Sequence, residues 1–324
     1  MKARYLFPKD YMADPAAHGF NSKIYIYPSH DWDSGVAFDD DGGHFQMKDY
    51  HVLSINGDPM SAPVTDCGLI LDVKDVPSAE KQMWDNDVVE KDGRYYLIFS
   101  AKDYNGVFRL GVIGVSVADR PEGPFRPEAD PIRASYSIDP CAFKDDDGKI
   151  YVYFGGLWGG QLQWYKDNKA LKAEYLPSGK EQAMPSRVAR LTDTPRQFDE
   201  MPKPVIVVDA QGQPLTADDP HRFFEASWMH KYQGKYYFSY STGDTHLLCY
   251  AIGDNPYGPF TYKGVILEPV TGWTTHHSII EYKGQWYLFH HDTVPSGDKT
   301  WLRSLKVLPL NYDKDGNIIT MKSE

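Results

Sequence analysis

Runs of aromatic and β-branched residues, each entered through a short polar turn, recur five times along the chain. They read NSKIYIYPS at 21–29, DGRYYLIFSA at 92–101, DGKIYVYFGG at 147–156, QGKYYFSYST at 233–242 and KGQWYLFHHD at 283–292. A Gly-type turn followed by such a run predicts a hairpin turn feeding a strand. Successive copies start about 50 to 85 residues apart, room for a four-stranded sheet and a variable loop, which is the size of a propeller blade. A second echo, GVIGVSVADRPEGPF at 111–125 and LLCYAIGDNPYGPF at 247–260, predicts the next strand and a Pro/Gly turn after the second and fourth copies. Gly, Pro and paired aromatics interrupt nearly every helical-period window. The pattern predicts an all-β chain, a single five-bladed β-propeller domain over residues 1–324, with the two ends meeting in or near one blade.

Composition narrows the partners. Hydrophobic residues make up 41% and charged residues 24% of the 324, ordinary globular values that support a sizeable core. Aromatic residues reach 14%, with 23 Tyr and 8 Trp, which suits pleated strands and flat platforms for sugar rings or bases alike. The net charge of −11 gives no basic field to gather phosphates, so nucleic acid is not an expected partner. Cys67, Cys141 and Cys249 form no CxxC pair, and all three are expected as core or near-core thiols. No apolar run follows the basic N-terminal residues and none reaches membrane-spanning length, so a cytoplasmic location without membrane association is expected.

In a propeller the innermost strands converge on a central channel, so residues distant in sequence meet there. Three carboxylates stand about 8–11 residues ahead of repeat strands: Asp14 in MADPAAHGF, Asp139 in YSIDPCAFKDDDGKIYVY and Glu225 in FFEASWMHKYQGKYYFSY. That placement puts each on an innermost strand aimed at one axis. Each Asp-Pro pair alone is equally a turn signal, and Asp145, Asp146 and Asp147 are expected as a solvated hairpin turn.

At these residues the sequence resembles glycoside hydrolase family 43, the inverting β-xylosidase and α-L-arabinofuranosidase family. The resemblance runs from ADP through IDPCAFKDDDGKIYVYFGG and FEASWMHKYQGKYYFSYSTG to TTHHSIIEYKGQWYLFHHD. It implies Asp14 as general base, Glu225 as general acid and Asp139 as the residue that positions the acid and raises its pKa. An inverting glycosidase needs its acid and base carboxyls about 6.5–9.5 Å apart so that a water fits between base and sugar. The acid has to hold its proton near neutral pH, through desolvation or neighbouring negative charge.

The resemblance also implies a histidine beside an axial ion, often calcium. In TTHHSII, His276 is expected to face inward as the metal ligand and His277 to contribute to substrate binding. Calcium prefers oxygen ligands, so a lone imidazole implies a largely hydrated ion, with no cofactor required for the chemistry. Arg303 resembles the family's late arginine, placed to hydrogen-bond a sugar hydroxyl or fix a carboxylate. Trp84 and Asp87 match a family motif from which Asp85 and Asn86 depart. Trp84, Trp158, Trp228 and Trp273 are candidates for stacking on a sugar, Trp84 and Trp158 foremost. His290 and His291 are expected to be structural, and the stretches Ser29–Cys67 and Trp158–Arg187 are expected to run between blades and roof the pocket.

Together these features imply an exo-acting glycosidase that removes terminal β-D-xylose, α-L-arabinofuranose or both from xylan and arabinoxylan oligosaccharides. The alternatives are another family 43 hydrolase such as an arabinanase, a retaining fructosidase-type propeller, and a non-catalytic carbohydrate-binding propeller.

Overall fold

The computed structural model describes residues 2–33, 35–79, 82–102, 111–273 and 275–323. All five repeat segments are the second strand of a blade, and the turns that feed them explain why. Asn21–Ser22, Asp92–Gly93, Gln233–Gly234 and Lys283–Gly284 each carry two consecutive positive φ values, the backbone of a tight hairpin whose twist matches its strands.

The first blade runs Met12–Phe20, Lys23–Trp32, Gln46–Ile55 and Val64–Asp72 from the axis outward. The second runs Met83–Lys91, Arg94–Ala101, Val112–Ala118 and Arg126–Pro127. Cys141–Lys144, Ile150–Phe154, Ser186–Arg190 and Lys203–Val205 form the third. The fourth is built from Glu225–Tyr232, Lys235–Ser241, Leu248–Gly253 and Phe260–Leu267, with Val207–Val208 added in parallel at its outer edge. The fifth combines His277–Tyr282, Gln285–Asp292 and Ser304–Leu310 with Arg4–Tyr5 from the other end of the chain.

That last strand closes the ring, as the chain-end expectation has it. Arg4 pairs with Val307 and Tyr5 with Lys306. The Tyr5 hydroxyl donates to Asp292, and Asp292 also takes the Lys306 ammonium at 3.0 Å, with both charged side chains buried. The second strands carry the densest burial: Tyr27, Phe99, Phe154, Phe238 and Phe289 are all among the largest fully enclosed side chains. Pleated strands packed on both faces require such residues, which is why this strand of each blade is the one visible in the sequence.

Two expectations need correcting here. Cys67 is exposed, because it lies on the outermost strand of the first blade, whereas Cys141 and Cys249 are buried. The stretches Ser29–Cys67 and Trp158–Arg187 are not inter-blade loops: the first holds the third strand of the first blade, with residues 38–47 reaching the pocket, and the second joins the second and third strands of the third blade. The Asp145–Asp147 turn is as expected at its tip, with Asp146 and Asp147 exposed, while Asp145 is half-buried and takes bonds from Lys231 and Tyr236.

Candidate active site

The innermost strands carry the same device in several blades. Their pairing slips by a residue between Ala13 and Ala16, between Met83 and Asn86, and between Glu225 and Trp228, the mark of a β-bulge that re-aims a side chain. Ala16, Asp87, Cys141, Trp228 and Ser278 pair with equivalent second-strand residues Tyr27, Ile98, Tyr153, Ser239 and Phe289. Two residues before each of them stand Asp14, Asp85, Asp139, Ala226 and His276, five equivalent positions around one axis. In the fourth blade the carboxylate comes from the residue just before, Glu225, the expected acid.

Asp14, Asp139 and Ala226 hold φ values of 48°, 60° and 60°, left-handed backbone that costs non-glycine residues about 1–3 kcal/mol each. Contacts between blades hold this backbone in place. The Asp14 N–H donates to His291 Nδ1 at 3.1 Å, the Asp139 N–H donates to Ser100 Oγ at 2.9 Å, and the Ala226 N–H donates to Asp139 Oδ2 at 3.2 Å. Asp139 thus braces the backbone directly behind Glu225. His291, expected to be purely structural, supports the expected base and lies 3.5 Å from its carboxylate.

His276 sits at the centre of the cluster. Its Nδ1 pairs with Asp85 at 2.9 Å and lies 3.8 Å from Asp14, while its Nε2 lies 3.5 Å from Asp139 and 3.6 Å from Glu225. Burial opposes its charge, but Asp139, Asp14, Asp85 and Glu225 together hold the imidazole well above its ordinary range. Burial likewise raises Asp85 to about 6 against the pull of His276. For Asp139, burial is again the leading influence and the carboxylates of Glu225, Asp85 and Asp14 add to it, so this carboxyl is raised well above the usual range despite His276.

Asp14 goes the other way. Burial would raise it, but the Arg303 guanidinium, with His276 and His291, outweighs that and brings it down to about 2. Arg303 bridges two carboxylates at once, for Nη1 donates to Asp14 at 2.7 Å while Nε and Nη2 grip Asp31 at 2.9 and 2.7 Å. Of the two roles expected for this arginine, the geometry shows the fixing of a carboxylate. Asp31 has no counterpart among the expected site residues, yet it is fully buried and also accepts the Arg303 backbone N–H. Arg303 with two histidines near Asp14, and a crowd of acids near Asp139, pull two similar carboxyls apart within one cluster.

Arg303→Lys is expected to keep the charge but lose the planar fork, since one ammonium cannot serve Asp31 and Asp14 together. A base displaced by even an ångström lowers kcat on the order of 10²-fold. With Arg303 weakened, burial dominates at Asp14 and its pKa rises, so the acid limb of the pH–rate profile moves to higher pH. A profile identical to wild type would contradict this role.

Above the cluster opens a pocket of about 220 Å³, reached by Asp14, Asp85, Asp139, Glu225, His276 and Arg303. Its roof comes from residues 38–45 of the first blade and 157–160 of the third. Trp84 is wedged between them: a Cβ on Gly42 would fall 2.5 Å from its ring, and one on Gly159 3.0 Å. Its indole N–H donates to Phe45 O at 3.1 Å, so Trp84 lines the wall as a fixed plate. Trp158 and Trp273 stand at the rim, 44% and 41% exposed, the latter with His246 packed against its ring at 5.0 Å.

Two expected residues lie elsewhere. His277 turns away from the pocket, its Nε2 bonded to Ser239 at 2.6 Å, because neighbours on a strand face opposite sides. Trp228 is core: its indole N–H donates to Ile279 O, tying the fourth blade to the fifth. Asp87 is also outside the pocket, where it takes His18 and the Ala142 N–H. Asp85, taken as a departure from the family motif, proves to be the partner of His276. The signal for it was available, since Asp85 stands nine residues before Arg94 as Asp14 stands nine before Lys23.

The donor set fits a hydrated divalent cation. One donor each from Asp85, Asp139 and His276 falls within 4.8 Å of the others, and two of the three are carboxylate oxygens. Beside them, Asn86 is 1% exposed with neither amide atom bonded within the protein, and it borders the small axial cavity that Asp85 and His276 also line.

The propeller thus gathers at its axial pocket one carboxylate held ionised by arginine and others crowded around a histidine, a set of groups suited to acid–base chemistry. The chain matches the family model Glycosyl hydrolases family 43 over residues 65–318. It is 75% identical to a β-xylosidase of Xylanibacter ruminicola over 99% of this chain and 100% of that one. Among solved structures, RS223-Beta-xylosidase superposes with a TM-score of 0.97 at 59% identity over 99% of both chains. A family 43 β-xylosidase/α-arabinofuranosidase from a compost microbial metagenome, solved with xylotriose in a calcium-free form, gives 0.95 at 52% identity over 99% of this chain and 98% of that one. The chain belongs to glycoside hydrolase family 43.

Proposed function

We propose that the protein removes single xylose units from the ends of β-1,4-xylo-oligosaccharides with inversion, and α-L-arabinofuranose from the corresponding arabinoxylan fragments. The observation that carries this is the pocket: about 220 Å³, roofed by two loops and floored by the carboxylate cluster. A volume at or below the low end of ligand pockets suits one sugar ring, with the rest of the chain leaving across the rim tryptophans.

In this reading Asp14 accepts a proton from a water as that water attacks the anomeric carbon, and Glu225 gives a proton to the departing oxygen. Asp14 and Glu225 approach different nitrogens of His276, at 3.8 and 3.6 Å, so an imidazole separates the two carboxyls as the inverting geometry requires. Asp139 positions the acid through the Ala226 N–H and helps keep a proton in the cluster by like-charge crowding. Xylose and arabinofuranose present similar hydroxyl patterns to a shallow site, which supports dual activity. With xylotriose the expected first products are xylose and xylobiose. Internal cleavage of long xylan, or no turnover of aryl β-D-xyloside and aryl α-L-arabinofuranoside, would contradict the proposal.

Asp85, Asp139 and His276 would hold a calcium ion, in keeping with the oxygen-rich donor set. Such an ion would supply positive charge beneath the reacting sugar. Treatment with a chelator is expected to lower turnover severalfold and added Ca2+ to restore it in wild type but not in Asp85→Asn. Equal rates with and without the ion would leave the His276 imidazolium as the positive charge there.

A further inference from the structure

On the first blade, outside the pocket, two imidazoles and several carboxylates converge from all four strands' neighbourhood. His30 comes from the second strand, Asp49 and His51 from the third, Asp66 from the fourth, and Asp10 from the segment ahead of the first. The His30 Nδ1 pairs with Asp49 at 2.7 Å and its Nε2 with Asp10 at 3.2 Å, while His51 Nδ1 pairs with Asp66 at 3.1 Å. The two rings lie 5.1 Å apart and nearly perpendicular. One donor atom each from His30, Asp49 and His51 falls within 4.8 Å of the other two.

We propose that His30, Asp49 and His51 form a zinc-class transition-metal site that ties the strands of the first blade together next to the point where the ring closes. Two imidazole nitrogens with a carboxylate oxygen are the donors of zinc and its neighbours, and they disfavour calcium and magnesium, which take all-oxygen sets. Ligands of such an ion stand about 3.3 Å from one another around a tetrahedron; the three donors lie within 4.8 Å, and His30 and Asp49, hydrogen-bonded at 2.7 Å, would part slightly to admit the ion. Asp66 on His51 is the carboxylate–histidine pairing that orients a metal-bound ring. Asp10 is placed to accept the second nitrogen of His30 in the same way, at 3.2 Å from Nε2.

One further feature favours an ordered site here: His30 is nearly buried and each of its nitrogens meets a carboxylate, which fixes the ring. The adjacent Trp32 indole N–H donates at 3.2 Å to the same Asp49 oxygen, Oδ1, that pairs with His30, which leaves Oδ2 for an ion. None of His30, Asp49 and His51 reaches the pocket, whereas Asp31, next to His30, faces inward to Arg303.

Zinc retention by equilibrium dialysis tests this in the intact protein, comparing wild type with His51→Ala and the isosteric Asp49→Asn. Wild type is expected to hold about one more equivalent than either variant, whose affinity at this site falls by at least about tenfold. The zinc-induced rise in melting temperature should be smaller in both variants, while their xylosidase rates without zinc match wild type. Asp85→Asn, which alters only the axial cluster, should keep the extra equivalent. Equal zinc retention by wild type and both variants, or loss of the extra equivalent in Asp85→Asn alone, would overturn the proposal and leave His30 as a charged pin between Asp49 and Asp10.

Discussion

Glu225→Gln is expected to fold as wild type and to hydrolyse xylobiose more slowly by about 10²–10⁴-fold, the usual contribution of a general acid. Glutamine fills the same space on the innermost strand of the fourth blade, and the Ala226 N–H keeps its bond to Asp139. What disappears is the proton for the departing sugar oxygen, a poor leaving group. An aryl xyloside with an acidic phenol needs that proton far less, so its rate is expected to fall much less. The ratio of the two losses is the diagnostic quantity. Equal losses on both substrates would move the acid role away from Glu225.

Asp14→Asn is expected to lower both rates together, again by about 10²–10⁴-fold. The base acts on the attacking water, and every substrate needs that water whatever its leaving group. The side chain keeps its shape, but Arg303 loses one of its two anionic partners and His276 and His291 lose a neighbouring charge. The sign of the associated pH effect follows from Asp14 itself. Its carboxyl is held at about 2 in the folded protein against an ordinary 3.8, so its ionised form contributes stability above the ordinary value. That contribution is lost as pH falls from about 4 toward 2. Asp14→Asn removes it, so wild type and variant should differ less in melting temperature in acid than at neutral pH. A variant that loses activity only on poor leaving groups would contradict the base assignment.

The fold was legible because each blade's second strand is buried on both faces and entered through a tight turn. Aromatic density and turn chemistry therefore coincide at Tyr27, Phe99, Tyr153, Phe238 and Phe289. Asp14, Asp139 and Glu225 were found because their motifs keep a near-constant distance from those strands, and the structure brings them to one pocket. The same ruler would have found Asp85, but its neighbours differ from the family motif and drew attention to Trp84 and Asp87 instead.

Other residues carried no local signal. Asp31 acts only through Arg303, far away in sequence, and nothing in the run SHDW distinguishes an arginine clamp from an ordinary strand end. His276 was singled out as inward-facing by the resemblance, but nothing local showed that His277 turns away to bond Ser239 instead of reaching a sugar. Tryptophans look alike in sequence whether they form a wall, as Trp84 does, a rim, as Trp158 and Trp273 do, or an inter-blade contact, as Trp228 does. Their roles depend on loops that fold over the pocket from blades one and three, and the lengths of those loops say little about their paths.

The central claim is that one carboxylate directs water to the face of the sugar opposite the departing oxygen. Proton NMR of aryl β-D-xyloside hydrolysis, in which only the xylose attacked by water is released, tests it most directly when recorded before that xylose mutarotates. The signal of α-xylose is expected to appear first, with the β-anomer growing in later. Initial release of β-xylose would contradict the arrangement of Asp14 and Glu225 as base and acid.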